Sequence, residues 1–365
     1  MGDRCSRMWA FAGTHLQNIG GWLDPAGAAI IDFTETAYNL GLSGPEWLPK
    51  LLRDGVQCVG HGLGLAGLTC QRGAQRGAFV IEQVHVESCP DDFIQSVMKA
   101  QLEVPREFLW EMSRPTHPKT LSEAAEENLV GFHDVTRHFT HVEDGLGMSA
   151  FDPDGHGVYL IAPLRERTSL TTRERERLQM IASHFGAGYR LRRAVDPPTS
   201  SGPPETTLPR RAEAVLDPKD FRVTDAAGDA RTCDSIRGLR QAAKRIDHAR
   251  GHLRQSDPEA ALELWTALVR GRWSMVDWFD SDSRRFVLAV PNEPTVNDPR
   301  GLTKQEAQVV SLITAGQTSK LIAYQLGLSQ ARVSVLVSSA MHKLGVRTRA
   351  QLVKKWRDFA GLVTT

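Results

Sequence analysis

At 365 residues the chain is too long for one ordinary domain, and a composition 41% hydrophobic and 24% charged fits several globular units, each with a core. No run approaches the roughly 18 to 20 apolar residues of a membrane span, and the start, MGDRCSRMWAFAG, lacks a secretory signal's apolar segment, so we expect a cytoplasmic protein with no membrane partner. Cys5, Cys58, Cys70, Cys89 and Cys233 are scattered with no CxxC pair, which argues against a disulfide framework and a zinc site.

The first region, 1–195, is expected to be α/β. GAFVIEQVHVE (77–87) is rich in strand formers, PDDFIQSVMKAQLEV (90–104) has helical spacing, and GLGMSAFDPDGHGVYLIAPL (145–164) reads as a hairpin about Asp-Pro-Asp-Gly. A long helix follows over 171–193, with Leu178, Ile181, Ala182, Phe185 and Tyr189 on one side. Residues 196–211 (DPPTSSGPPETTLPRR) hold five prolines and read as a linker. The region 212–290 runs short strands, helices, then an aromatic-rich hairpin, an α+β order; 291–300 forms a second linker before 301–365. The segment 145–193 resembles the end of a GAF domain, and the order of elements in 212–290 is similar to that of a PAS domain. Both resemblances imply a sensory region able to take a small-molecule ligand.

Charge is asymmetric. Residues 301–365 carry nine Lys or Arg against Glu306 and Asp358, a net +7, leaving −6 for residues 1–300. Such a segment is suited to a polyanion. The chain also contains two Leu-Thr-x-x-Glu starts, at 170 and 302. Each is a capping box, which opens any helix and has no function of its own. After the first comes the proline linker, so it begins a terminal helix. After the second the pattern continues in three further steps.

Thr303 and Glu306 cap a helix expected to bury Val309, Val310, Leu312 and Ile313 and to end at Gly316. Thr318 starts a short helix with Leu321, Ile322 and Leu326 inward and Gly327 at its end. Ser329 caps a third, whose Val333, Val337, Ala340 and Leu344 form one stripe, closed by Gly345; Thr348 opens a fourth. Helix, glycine turn, helix is the geometry that presents a helix to the major groove. The run from Leu302 to Val353 resembles the LuxR/FixJ-type helix-turn-helix domain through Leu302, Thr303, Glu306, Gly316, Lys320, Ile322, Ala323, Leu326, Gly327, Ser329, Lys343, Leu344, Gly345 and Val346.

That resemblance implies an all-α four-helix DNA-binding domain, double-stranded DNA as partner and a homodimer. Where the family commonly has Thr-Val-Lys-x-His after the third cap, this chain has Arg332, Val333, Ser334, Val335 and Leu336, so the base-facing set Ser334, Val335 and Ser338 has no long cation. Hydroxyls and a methyl-bearing side chain still read base edges. Thr318, Lys320, Ser329, Gln330, Arg332, Lys343, Arg347 and Arg349 complete the expected DNA-contacting set, the cations gripping phosphates. Leu352, Val353, Trp356 and Phe359 make the apolar face of the fourth helix, through which the family often pairs subunits.

Other chemistry finds less support. His133, His138 and His141 are spaced by five and three, which does not put all three on one helix face, so no metal site is expected. No phosphate-binding Gly-rich loop occurs, and no cofactor or catalytic residue is assigned. Trp265, Trp273 and Trp278 are read as core and a cross-strand pair. The alternative function is a signalling or scaffold protein whose helix-turn-helix serves protein contacts.

Overall fold

The structure is a computed structural model describing residues 28–59, 63–72, 78–127, 129–195, 211–294, 296 and 301–362, with side chains described as far as 357 at the C-terminal end. The long linker expected at 196–211 lies outside the described residues apart from Arg211.

The first region holds α1 (Ala28–Ala37), α2 (Gly44–Val59), β1 (Leu65–Arg72), β2 (Phe79–Glu87), α3 (Phe93–Glu103), α4 (Arg106–Met112), β3 (Lys119–Thr120), α5 (Leu121–Glu126), α6 (Phe132–Thr136), β4 (Asp144–Phe151), β5 (His156–Leu164) and α7 (Thr172–Val195). The sheet is antiparallel, in the order β2-β1-β5-β4-β3. Side chains alternate between its faces with the strand period of two. Met148, Ala150, Val158 and Leu160 point into a core shared with α1, α2 and α7, whereas Gly145, Gly147, Phe151, Tyr159 and Ile161 line a cavity on the other side, closed by α3 to α6. Both faces are covered, which is why β1, β4 and β5 read as nearly continuous apolar runs.

The middle region holds β6 (Ala214–Leu216), β7 (Val223–Ala226), α8 (Cys233–His248), α9 (Pro258–Leu264), β8 (Trp273–Phe279) and β9 (Arg285–Pro291), with an antiparallel sheet in the order β7-β6-β9-β8. Trp265 and Trp273 are buried, and Trp278 faces Phe286 across the hairpin with ring centroids 5.6 Å apart. The two regions do not bury separate cores. One hydrophobic cluster runs from Ile30 and Phe185 through Trp265 to Leu288. The cause lies at α1 and α7: Phe33 of α1 packs edge-on to Phe185 of α7, while Tyr38, just past the end of α1, lies parallel to Trp265. A proline-rich connection therefore marks where the chain leaves a helix and not where a core ends.

The C-terminal region folds as α10 (Lys304–Thr314), α11 (Ser319–Leu326), α12 (Gln330–Lys343) and α13 (Arg349–Leu362) around its own cluster of Val309, Val310, Ile322, Leu326, Val333, Val337 and Leu352. The expected caps are present: Thr303, Thr318 and Ser329 accept from the amides of Glu306, Leu321 and Arg332. Gly316, Gly327 and Gly345 follow the helices with positive φ. Leu312 departs from the expected stripe: it is only partly buried and packs against the edge of the cluster.

Among the described residues no helix is long and apolar enough to cross a membrane, and no three His, Cys, Asp or Glu gather as a metal site would require. His138 instead faces Glu103 at 3.2 Å, and His133 packs against Phe132.

Candidate nucleic-acid interface

The third helix of the C-terminal unit, α12, is amphipathic in an uncommon sense: its inner side is apolar, and the middle of its outer side is small rather than charged. Val333, Leu336, Val337 and Ala340 are buried. Opposite them Ser334, Val335 and Ser338 are exposed, Val335 at 57%. Ser334 Oγ donates back to the Gln330 carbonyl at 3.1 Å. A base edge could replace that local bond without unfolding anything, so the hydroxyl is available as donor or acceptor. The face expected to meet bases is thus exposed, polar at two points and apolar at one.

The cations around it divide into two groups. Arg332, Arg347 and Arg349 are exposed near the ends of α12 and α13. Arg332 reaches Gln305 Oε1 at a long 3.4 Å, and Arg349 donates to Ser319 Oγ at 3.0 Å, joining the starts of α13 and α11. Thr318 and Gln330 lie exposed at the starts of α11 and α12. Two expected phosphate contacts are engaged elsewhere. Lys343 Nζ lies 2.7 Å from Glu306 Oε2 and serves the domain's own framework, because the Glu306 side chain is only 5% exposed and holds α12 to α10. Burial acts to raise the Glu306 carboxyl, but hydrogen bonds from Lys343, Ser339 and Thr303 outweigh it and hold the group at about 2. Lys320 Nζ lies 2.6 Å from Glu176 Oε2 on α7.

Expectation and structure also differ on α13. Leu352 is fully buried in the domain's own core, so it cannot meet a second subunit; the hydrophobic set on that helix is divided between inside and outside. Val353 and Trp356 pack against the same core and are partly buried, and the Phe359 side chain lies outside the described residues.

Sequence reasoning gave Tyr324 no role, yet it is the hub between α11 and the rest of the chain. Its hydroxyl donates to the carbonyls of Leu262 and Trp265 at 2.8 and 2.9 Å and lies 2.6 Å from His184 Nε2. On its other side His184 Nδ1 lies 3.0 Å from the Tyr38 hydroxyl, which also donates to the Ala267 carbonyl at 3.2 Å. Burial keeps this imidazole neutral, lowering it to about 3, and pushes both phenols up. Around this chain Gly271 N donates to Leu326 O at 2.5 Å, Gln308 Nε2 to Gly271 O at 3.0 Å and Gln317 Nε2 to Thr116 Oγ1 at 2.6 Å. At Gly327, φ +59°, a Cβ would fall 2.0 Å from the Leu268 carbonyl oxygen, so glycine both turns the chain and permits the contact.

The family profile for bacterial regulatory proteins, luxR family, matches residues 300–355. The spore germination protein GerE of Bacillus subtilis (strain 168) is 44% identical over 52 residues, which are 14% of this chain and 70% of that protein. A crystal structure of Escherichia coli SdiA aligns over 86% of this chain and 90% of its own at 11% identity, with a TM-score of 0.28, too slight a likeness to bear on fold or function.

Proposed function

We propose, from the premise that the chain belongs to the luxR family of bacterial regulatory proteins, that it is a transcriptional regulator that binds double-stranded DNA through α12 and answers to a small molecule held in its first region. The observation that carries the DNA reading is the outward set Ser334, Val335 and Ser338 on a capped, well-buried helix flanked by Arg332, Arg347 and Arg349. Specificity then rests on small side chains and DNA shape, and affinity on phosphates. Fluorescence anisotropy on specific and random duplexes over a salt series tests it. Arg347→Ala weakens both duplexes alike and reduces the slope of log K against log salt by roughly 1 per subunit. Ser334→Ala leaves the slope unchanged and costs at most about 1 to 3 kcal/mol at one base-pair position. Equal losses on both duplexes from Ser334→Ala would place the reading face elsewhere.

The cavity between the first sheet and α3 to α6 supports the sensory part. It measures about 100 Å³ and is lined by Leu68, Phe93, Val97, Phe108, Met112 and Ile161, with few polar groups, a setting for a small and mainly apolar molecule. Gly147 lets the Tyr159 side chain lie close over the sheet in its wall, since a Cβ there would lie 2.5 Å from the Tyr159 hydroxyl. A GAF-like first region, a PAS-like middle region, a cytoplasmic location and pairing of two chains through Val353 and Trp356 complete the reading.

A further inference from the structure

Lys320 is placed at the first turn of α11, where a cation and free amides favour a phosphate. In this structure an acidic side chain of the first region already holds it. Glu176 Oε2 on α7 is 2.6 Å from Lys320 Nζ, and Glu263 on α9 adds a second negative charge nearby. The contact is not incidental to a loose surface, because α11 is docked on α7 by the buried chain Tyr38, His184, Tyr324 described above, and Leu268 of the middle region completes the core of the C-terminal unit. A DNA backbone brought against α11 would meet the Glu176 carboxylate at the position its own phosphate must take. Two anions cannot share one ammonium at that distance without repulsion.

We infer that Glu176 stands in for a DNA phosphate on Lys320, so that the docked chain is a low-affinity form and α7 and DNA compete for the same cation. This inference rests on the DNA-binding reading above. It also gives the cavity a route of action: β4 and β5 line it with one face and pack on α7 with the other, so a shift of that sheet moves the helix that carries Glu176 and His184. The pair itself is about half-exposed and contributes little to folding, so its removal leaves the fold intact.

The test uses the full chain and a random-sequence duplex in a salt series. Glu176→Gln is expected to tighten binding by about three- to tenfold at low salt and to steepen the slope of log K against log salt by up to about 1 per subunit, as one more cation reaches the backbone. In a Lys320→Ala background the same substitution should gain almost nothing. Wild type and Glu176→Gln binding equally, with the same slope, would overturn the competition while leaving DNA binding in place. A gain from Glu176→Gln that persists undiminished without Lys320 overturns it as well, since the effect would then be general repulsion. If neither chain binds the duplex at any salt, the DNA-binding reading fails and the inference with it.

Discussion

The chain opens two helices with the same five-residue start, Leu-Thr-x-x-Glu, and the structure uses them differently. At α7, Thr171 and Glu174 close a capping box at the surface: Thr171 donates to Glu174 Oε2 at 2.7 Å, Thr171 is exposed and Glu174 is only partly buried. At α10 the equivalent carboxylate, Glu306, is drawn under α12 and bonded by Thr303, Ser339 and Lys343. An identical local signal thus starts a helix in both places, but only in the second does the chain return and cover it. The cap fixes where a helix begins; what packs over it decides whether the cap becomes part of a fold.

The sharpest way to break the comparison is to remove both acids in turn. Glu306→Ala removes the buried acceptor that the Thr303 amide, Ser339 and Lys343 share, so a loss of about 3 to 5 kcal/mol is expected for the C-terminal unit from these charge-assisted bonds. Hydrogen exchange of the α12 amides in the full chain would report it. Unchanged protection there would mean that Glu306 is no more than a cap.

Next in size is the acid response. The Glu306 pKa is depressed in the folded state, so its contribution is present above the ordinary carboxylate value of 4.5 and is lost as pH falls toward about 2. The shift corresponds to about 3 kcal/mol across that window. Denaturation midpoints at pH 5 and pH 2.5 should therefore converge between wild type and Glu306→Gln, because the variant has already lost the titrating group. A constant gap between the two chains would show that the carboxylate is not held down.

Glu174→Ala should cost about 1 kcal/mol or less, since only a surface cap is removed. Calorimetry of the full chain checks this smallest effect. A loss as large as that of Glu306→Ala would erase the distinction between the two helix starts.

Much of the C-terminal unit was legible because its determinants are local. Caps at Thr303, Thr318 and Ser329, glycines at 316, 327 and 345 and the stripe from Val333 to Leu344 all act within about one turn of themselves. The outward set on α12 follows from the same periodicity. What escaped depends on partners far away in sequence. Nothing near Lys320 announces Glu176, 144 residues earlier, and nothing in SKLIAYQLG tells that Tyr324 meets His184, 140 residues away. Leu352 was misassigned for a related reason: an apolar residue on a terminal helix looks the same whether its partner is its own core or a second subunit, and only the packing settles it. The shared core of the first two regions was hidden because the contacts that join them, such as Tyr38 on Trp265, lie far apart in sequence, where periodicity does not reach.

Gly327 bears on whether parts of this protein can be exchanged with others. A C-terminal unit with its own core invites treatment as a cassette, to be grafted onto a different input or replaced by one with another target. Here the residue that ends α11 also lies against the Leu268 carbonyl, with no room for a single carbon between them. A replacement unit with Asn at this point could still turn its own chain, since Asn tolerates the left-handed conformation, and would fold in isolation. It could not seat on this body. Such a chimera would keep both units folded but undocked, so portability in this architecture turns on one backbone contact as well as on the integrity of either module.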